Sequence, residues 1–303
     1  MTAICVTLAE ATPAAVIDRM VDLHAAADLF EIRADALVEH DLLTLLRARQ
    51  RPLVFTCRAK EQGGLREIEP AQRRQLLMEA ARRGFDYVDV EADSGFTEVM
   101  VEKAGRGLIV SHHDFEGTPA DLGALYQQLA ALGADLVKIA VTPRSIADVG
   151  RLLACARAAA ERGGAPLLPV AMGPLGLPTR LLAGRLGAPF TYAAPAAGEE
   201  AAPGQVTAAE LDQLYRVRKV GPATRAYGVL GAEVQLSLSP AMHNAGFAAC
   251  GLDAVYVPLQ AEALQPFLTA LPGLQLSGFS VTRPYKAEIV SRLDEVDEAA
   301  ALA

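Results

Sequence analysis

Eight short apolar runs, each separated from the next by a segment of helical character, restrict this 303-residue chain to few folds. They are rich in Val, Ile and Leu and lie at Ile4–Leu8, Leu29–Arg33, Leu53–Arg58, Tyr87–Glu91, Leu108–His113, Leu136–Ala140, Leu167–Met172 and Phe190–Ala194. Runs this short and this apolar read as strands buried on both faces, which belong in parallel sheets covered by helices. The intervening segments carry helix start signals. Thr12-Pro13 and Thr118-Pro119 place a capping hydroxyl ahead of a first-turn proline, and Thr207 with Glu210 has capping-box spacing. Eight such units predict an α/β architecture, a closed (β/α)8 TIM barrel and not an open sheet. About 250 residues is usual for that fold, so roughly 220 makes this one compact.

After a helix expected around 207–219, Gly221-Pro222 breaks the pattern and a smaller α/β unit begins. Its strands are expected at 226–230, 255–259 and 276–282, with helices near 239–250, near 263–270 and from Pro284. The expected domains are therefore 1–220 and 221–303. The stretch 193–205, which contains APAAGEEAAPGQ, has the composition of a flexible linker. Its place after the eighth strand equally allows a mobile loop over the barrel mouth.

Charged residues fall where a barrel gathers its chemistry, at the C-terminal ends of the strands. Glu31 and Arg33 close the second run, Arg58 the third, Asp89 and Glu91 the fourth, and His112 and His113 the fifth. Residues of one parity point the same way from a strand, so Glu31 with Arg33 and Asp89 with Glu91 share a face. A purely structural account pairs Asp89 or Glu91 with Arg33 as a buried salt bridge. Lys138 stands inside the sixth run, GADLVKIAV. In a dry aliphatic pocket its charged form is disfavoured and the neutral amine becomes a carbonyl nucleophile. Alternatively its ammonium snorkels from a strand end into water.

Composition removes several classes of function. A net charge of −8 gives no general attraction to nucleic acid, so an anionic ligand must be held by local arginines. No uninterrupted apolar stretch is long enough to span a membrane, and MTAICVTLAE lacks the features of a secretory signal. Cys5, Cys57, Cys155 and Cys250 are scattered without a CxxC pair, as expected of reduced thiols in a cytoplasmic protein with no zinc site. The expected partner is a small molecule; a homodimer is one assembly open to such a chain.

GADLVKIA, SHHDF, FTCR with the nearby Gly63-Gly64, DYVDVE and the late APGQ occur in the order of type I 3-dehydroquinate dehydratase, which the first 220 residues resemble. The resemblance implies an imine between Lys138 and the substrate ketone, with no metal or organic cofactor. It makes His113 the general base and later acid, a choice that parity alone leaves open against His112. It gives Arg58 and Arg180 the substrate carboxylate, and Glu31, Arg33, Gln205 and, more weakly, Thr7 the hydroxyls or the orientation of the lysine. Two positions depart from the family pattern. Gln62 stands where the family has a glutamate, with Glu61 one residue earlier, and Ala201 stands where a serine is expected.

The second unit resembles the substrate-binding half of shikimate dehydrogenase through SLSPAMHN and GFSVTRPYK. That implies substrate contacts from Ser237, Ser239 and Thr282 and proton transfer by Lys286. Without the motif, Ser239-Pro240 is an ordinary helix start and Lys286 an ordinary exposed lysine. The family's aspartate partner is not found, nor is a Gly-rich strand–turn–helix for NADP, so NADP is expected only if a further domain exists. As it stands, this half is expected to bind product and not to transfer hydride. Two other readings compete. A class I aldolase shares the barrel lysine, but no Gly-rich phosphate site follows the seventh or eighth run. A binding or regulatory protein that has lost catalysis would account for Gln62, Ala201 and the missing cofactor domain.

Overall fold

A computed structural model describes residues 2–102 and 107–298. Eight parallel strands form a nearly closed barrel: β1 (Ala3–Leu8), β2 (Leu29–Arg33), β3 (Leu53–Thr56), β4 (Tyr87–Glu91), β5 (Gly107–Asp114), β6 (Leu136–Val141), β7 (Leu167–Ala171) and β8 (Phe190–Ala193). Pairing runs β7-β6-β5-β4-β3-β2-β1-β8. Around them lie α1 (Pro13–Asp22), α2 (Leu42–Ala48), α3 (Pro70–Arg83), α4 (Thr97–Val101), α5 (Leu122–Ala131), α6 (Ile146–Glu161) and α7 (Leu177–Leu181). Among the described residues the ladder does not close between β7 and β8. The Met172 N–H bonds Val141 on β6, so Ala171 and Pro169 turn toward β8. Proline has no N–H to give, and that of Ala171 is taken by Thr179 Oγ1 at 3.1 Å.

Strand parity sorts the side chains. Val6, Ile32, Phe55, Val90, Val110 and Ile139 join the core under the helices. Leu29, Val54, Ile109, Leu136, Leu168 and Phe190 form a separate cluster that plugs the barrel interior. Continuing along the inward face from that plug gives Glu31 and Arg33, Asp89 and Glu91, Ser111 and His113, and Lys138. His112 is of the outward parity. Of the two histidines, it is therefore His113 that faces the barrel mouth.

Local signals explain most helix starts. Thr12 Oγ1 accepts from Ala15 N at 3.2 Å, with Pro13 in the first turn. Thr118 does not cap the next predicted helix: Asp121, three residues later, accepts from Ala124 N at 2.8 Å and starts α5. Thr207 and Glu210 form the capping box, but a π-turn at Glu210–Leu214 and a 3-10 turn at Val217–Lys219 replace the single helix expected there. Among the described residues no helix is long and apolar enough to cross a membrane.

The second unit has parallel strands β9 (Arg225–Gly231), β10 (Ala254–Gln260) and β11 (Gly278–Val281) in the order β10-β9-β11. Its helices are α8 (Ser239–Ala249), α9 (Leu264–Leu274) and α10 (Lys286–Val290). Helix α9 lies backbone to backbone on α6 of the barrel. A Cβ on Gly150 would stand 2.7 Å from Ala270 Cα, and one on Gly273 would stand 1.9 Å from Gly150 O. Arg157 Nη2 donates to Gly273 O at 3.1 Å, and Glu262 accepts from Ile146 N at 3.3 Å, capping α6 from the other domain. Gly150→Leu is therefore expected to lower stability by about 2 kcal/mol or more, because neither backbone can yield to the added side chain. An unchanged urea unfolding midpoint would contradict this packing.

Candidate active site

At the C-terminal mouth of the barrel a cavity of about 220 Å³ is lined by Glu31, Arg33, Arg58, His113, Lys138, Arg180 and Gln205, together with Gln62, Gly63 and Tyr192. Seven residues named from the sequence thus converge on one space. Thr7 stands behind them: its hydroxyl donates to Glu31 at 2.9 Å and accepts from Gln205 Nε2 at 3.5 Å.

Lys138 is 7% exposed, so its ammonium does not snorkel out. Nor is it in the aliphatic pocket expected from the sequence. Nζ lies 3.1 Å from Asp89 Oδ2, 3.9 Å from Glu31 Oε1 and 4.5 Å from the centre of the Tyr192 ring. The correction follows from barrel closure, which brings inward residues of β2, β4 and β8 against β6. Buried charges are tolerated when they are paired, and here the partners are supplied across the ring.

The arginines differ in how far their nitrogens are engaged. Arg58, just past β3, donates to Ser111 Oγ and Asp89 Oδ2, both at 2.8 Å, and lies 3.5 Å from Glu91. Burial disfavours its charge, but Asp89 and Glu91 outweigh that and hold its pKa above the ordinary value. Arg33 does not pair with Asp89 or Glu91; its guanidinium forks onto Asp35 at 3.0 and 2.7 Å and reaches Gly63 O. Glu91 instead takes Arg73, from α3. Arg180 differs from all of these. It is 2% exposed, its Nη1 makes a long 3.5 Å contact with Tyr192 O, and Nε and Nη2 have no partner. Burial alone pulls its pKa down to about 10, which still leaves it charged at neutral pH. A buried cation with two idle nitrogens has the chemistry to receive an oxyanion.

His113 is half-buried and stacks on Phe115. Burial, then the charges of Arg58 and Lys138, hold its pKa well below the usual histidine value, so the imidazole is neutral and able to accept a proton at pH 7. Its Nδ1 meets Gln62 Oε1 at 3.2 Å. Glu61 is exposed and does not replace the missing glutamate. The turn carrying Gln62 needs its two glycines: Gly63 has φ +84°, and a Cβ on Gly64 would stand 2.6 Å from Arg58 O.

The stretch 195–206 is a cover and not a linker. Ala201, Ala202, Pro203 and Gln205 line the cavity, Pro203 O accepts from Gly173 N at 3.1 Å, and Glu199 pairs with Arg19 on α1. Gln205 Oε1 accepts from Ala201 N at 2.8 Å.

Sequence reasoning missed Asp35, Arg73, Ser111 and Tyr192. Asp35 and Ser111 carried the period-two signal of neighbours already singled out; Tyr192, on a strand with no singled-out residue, and Arg73, on a helix, carried none. In the second unit, Ser237 and Ser239 follow β9, while Thr282 and Lys286 follow the adjacent β11, so all four belong to one end of that sheet. Ser239 N donates to Ser237 Oγ at 3.2 Å, and Lys286 is exposed.

Comparison with known proteins agrees with this geometry. Residues 4–222 match the model of type I 3-dehydroquinase, and residues 229–303 match the shikimate dehydrogenase substrate binding domain. A bifunctional 3-dehydroquinate dehydratase/shikimate dehydrogenase of Arabidopsis thaliana is 37% identical over 89% of this chain, which spans 46% of that relative's length. The 3-dehydroquinate dehydratase of Thermococcus gammatolerans is 41% identical over 62% of this chain and 86% of its own. The crystal structure of 3-dehydroquinate dehydratase from Geobacillus kaustophilus covers 70% of this chain and 88% of its own, at 31% identity and a TM-score of 0.64. By its barrel, this chain belongs to the type I 3-dehydroquinase family.

Proposed function

We propose that the barrel converts 3-dehydroquinate to 3-dehydroshikimate through an imine on Lys138. One observation carries the reading: a single cavity joins a buried lysine, a neutral histidine and an arginine with idle nitrogens. Lys138 Nζ adds to the substrate ketone and water leaves, giving a protonated imine. His113 takes a proton from the adjacent carbon, and the electron pair flows into the imine to give an enamine. The electrons then return, the hydroxyl on the next carbon departs, and His113 hands it the proton so that it leaves as water. Hydrolysis of the conjugated imine frees Lys138. Arg180 receives the substrate carboxylate, helped by Gln205 from the cover. Both terminal nitrogens of Arg58 are already engaged, so we assign it the holding of Asp89, and through Asp89 the aim of Lys138. Glu31 and Arg33 meet substrate hydroxyls, with Thr7 steadying Glu31.

In this reading the chain divides at 220/221. The second domain binds 3-dehydroshikimate or shikimate, through Ser237, Ser239 and Thr282, with Lys286 the proton-transfer group. No step is routed through NADP, because the residues present include no Gly-rich turn to hold its phosphates. Borohydride added with 3-dehydroquinate is expected to fix substrate mass irreversibly on the peptide containing Lys138. Turnover without any adduct would rule out the imine. Absence of turnover, followed by the absorbance of the conjugated product, would favour a binding protein.

A further inference from the structure

Besides the catalytic cavity, a groove of about 490 Å³ is lined by His113, Glu61, Gln62, Asp93 and Ser94 among others. His113 and Gln62 line both spaces. Gln62 Nε2 donates to Asp93 Oδ1 at 2.5 Å, while Gln62 Oε1 faces His113 Nδ1 at 3.2 Å. Chemistry dictates that orientation. A carboxylate only accepts, so the amide must turn its NH2 group to Asp93 and its oxygen to the ring. An oxygen facing Nδ1 requires a proton on Nδ1. The lone pair of the neutral ring is then on Nε2. Both loops are held in place: Glu91 accepts from Ala59 N at 2.9 Å at the start of the Gln62 turn, and Ser94 donates to Glu91 O at 2.6 Å beside Asp93.

We propose that Asp93 is a positioning residue, which dictates the tautomer of His113 through the Gln62 amide and so keeps Nε2 free to act as base. The inference rests on the reading of His113 as the general base. It gives the substitution of glutamine for the family's glutamate a consequence. The negative charge is moved one residue outward, and an amide transmits its direction but not its charge.

Asp93→Lys places a donor where an acceptor stood. The amide is expected to invert, offering its NH2 group to the ring, so that the proton moves to Nε2 and the base is blocked. A loss of kcat on the order of 10²-fold is expected, with KM little changed. Asp93→Asn keeps an oxygen acceptor and is expected to stay within about threefold of wild type. Adding Gln62→Glu to Asp93→Lys is expected to restore most of kcat, because the introduced carboxylate accepts from both neighbours.

With only five histidines, 15N-histidine labelling reads the tautomer directly at neutral pH, the His113 signal being identified by its loss in His113→Asn. The expected result is Nδ1–H in wild type and Asp93→Asn, and Nε2–H in Asp93→Lys. An unchanged tautomer in folded Asp93→Lys overturns the proposal, whatever happens to activity. A switched tautomer with full activity upholds the role of Asp93 and removes His113 as the base.

Discussion

Replacing Lys138 by methionine is expected to abolish turnover, with kcat reduced on the order of 10⁴-fold or more, and to remove the borohydride adduct. Methionine has similar reach and no nitrogen, so the covalent route is closed while the space stays filled. The fold is expected to survive. Asp89 keeps its bonds from Arg58 at 2.8 Å and Ser111 at 2.5 Å, so the carboxylate is not left without partners. Stability should therefore change by no more than about 1–2 kcal/mol, far less than when a buried pair loses its sole counter-ion. Lys138→Arg should fail equally, since a guanidinium does not shed its proton to become a nucleophile. Steady-state rates and unfolding midpoints check this together. A variant that retains more than about a hundredth of wild-type turnover would remove the imine from the mechanism.

The reverse pattern is expected at Asp89, where substitution should damage stability first. Asp89 is 1% exposed and accepts from Arg58, Ser111 and Lys138. Asp89→Ala leaves two buried cations, with Glu91 at 3.5 Å the remaining partner of Arg58 and Glu31 at 3.9 Å that of Lys138. Removing one partner from a buried ion network costs about 3–5 kcal/mol. The pH dependence identifies the cause. Burial opposes ionisation of Asp89, but Arg58 and then Lys138 outweigh it and hold its pKa far below the ordinary carboxylate range. A depressed folded-state pKa contributes stability that is present above the unfolded-state value of about 4 and is lost as pH falls through the folded-state value. The unfolding free energies of wild type and Asp89→Ala should therefore differ most near pH 7 and converge as pH drops below about 4. A difference independent of pH would mean that lost packing, and not charge, explains the damage.

How much of this was legible beforehand differs from residue to residue. Glu31 could be assigned to the same face as Arg33, and Asp89 to the same face as Glu91, because side chains alternate along a strand, a property of local covalent geometry. Lys138 was conspicuous as one charge in an apolar run. Arg180 could not be distinguished from Arg58 by any local pattern, yet one has idle nitrogens and the other has both terminal nitrogens engaged. The stretch 193–205 read equally well as a linker or a loop over the mouth, because Gly, Ala and Glu say nothing about what a loop folds against.

By itself, the sequence determined the number and order of the strands, the parity of the inward residues and the restart of the α/β pattern after Gly221-Pro222. Each is written in the spacing of neighbours along the chain. Tertiary structure alone decided the pairings, with Arg58 on Asp89, Arg73 on Glu91 and Arg33 on Asp35. It also decided the open seam at β7, the contact of Gly150 with Gly273 and the amide that joins Asp93 to His113. The physical reason is that burial obliges every charge to find a partner, while closure of the ring determines which ones come within reach.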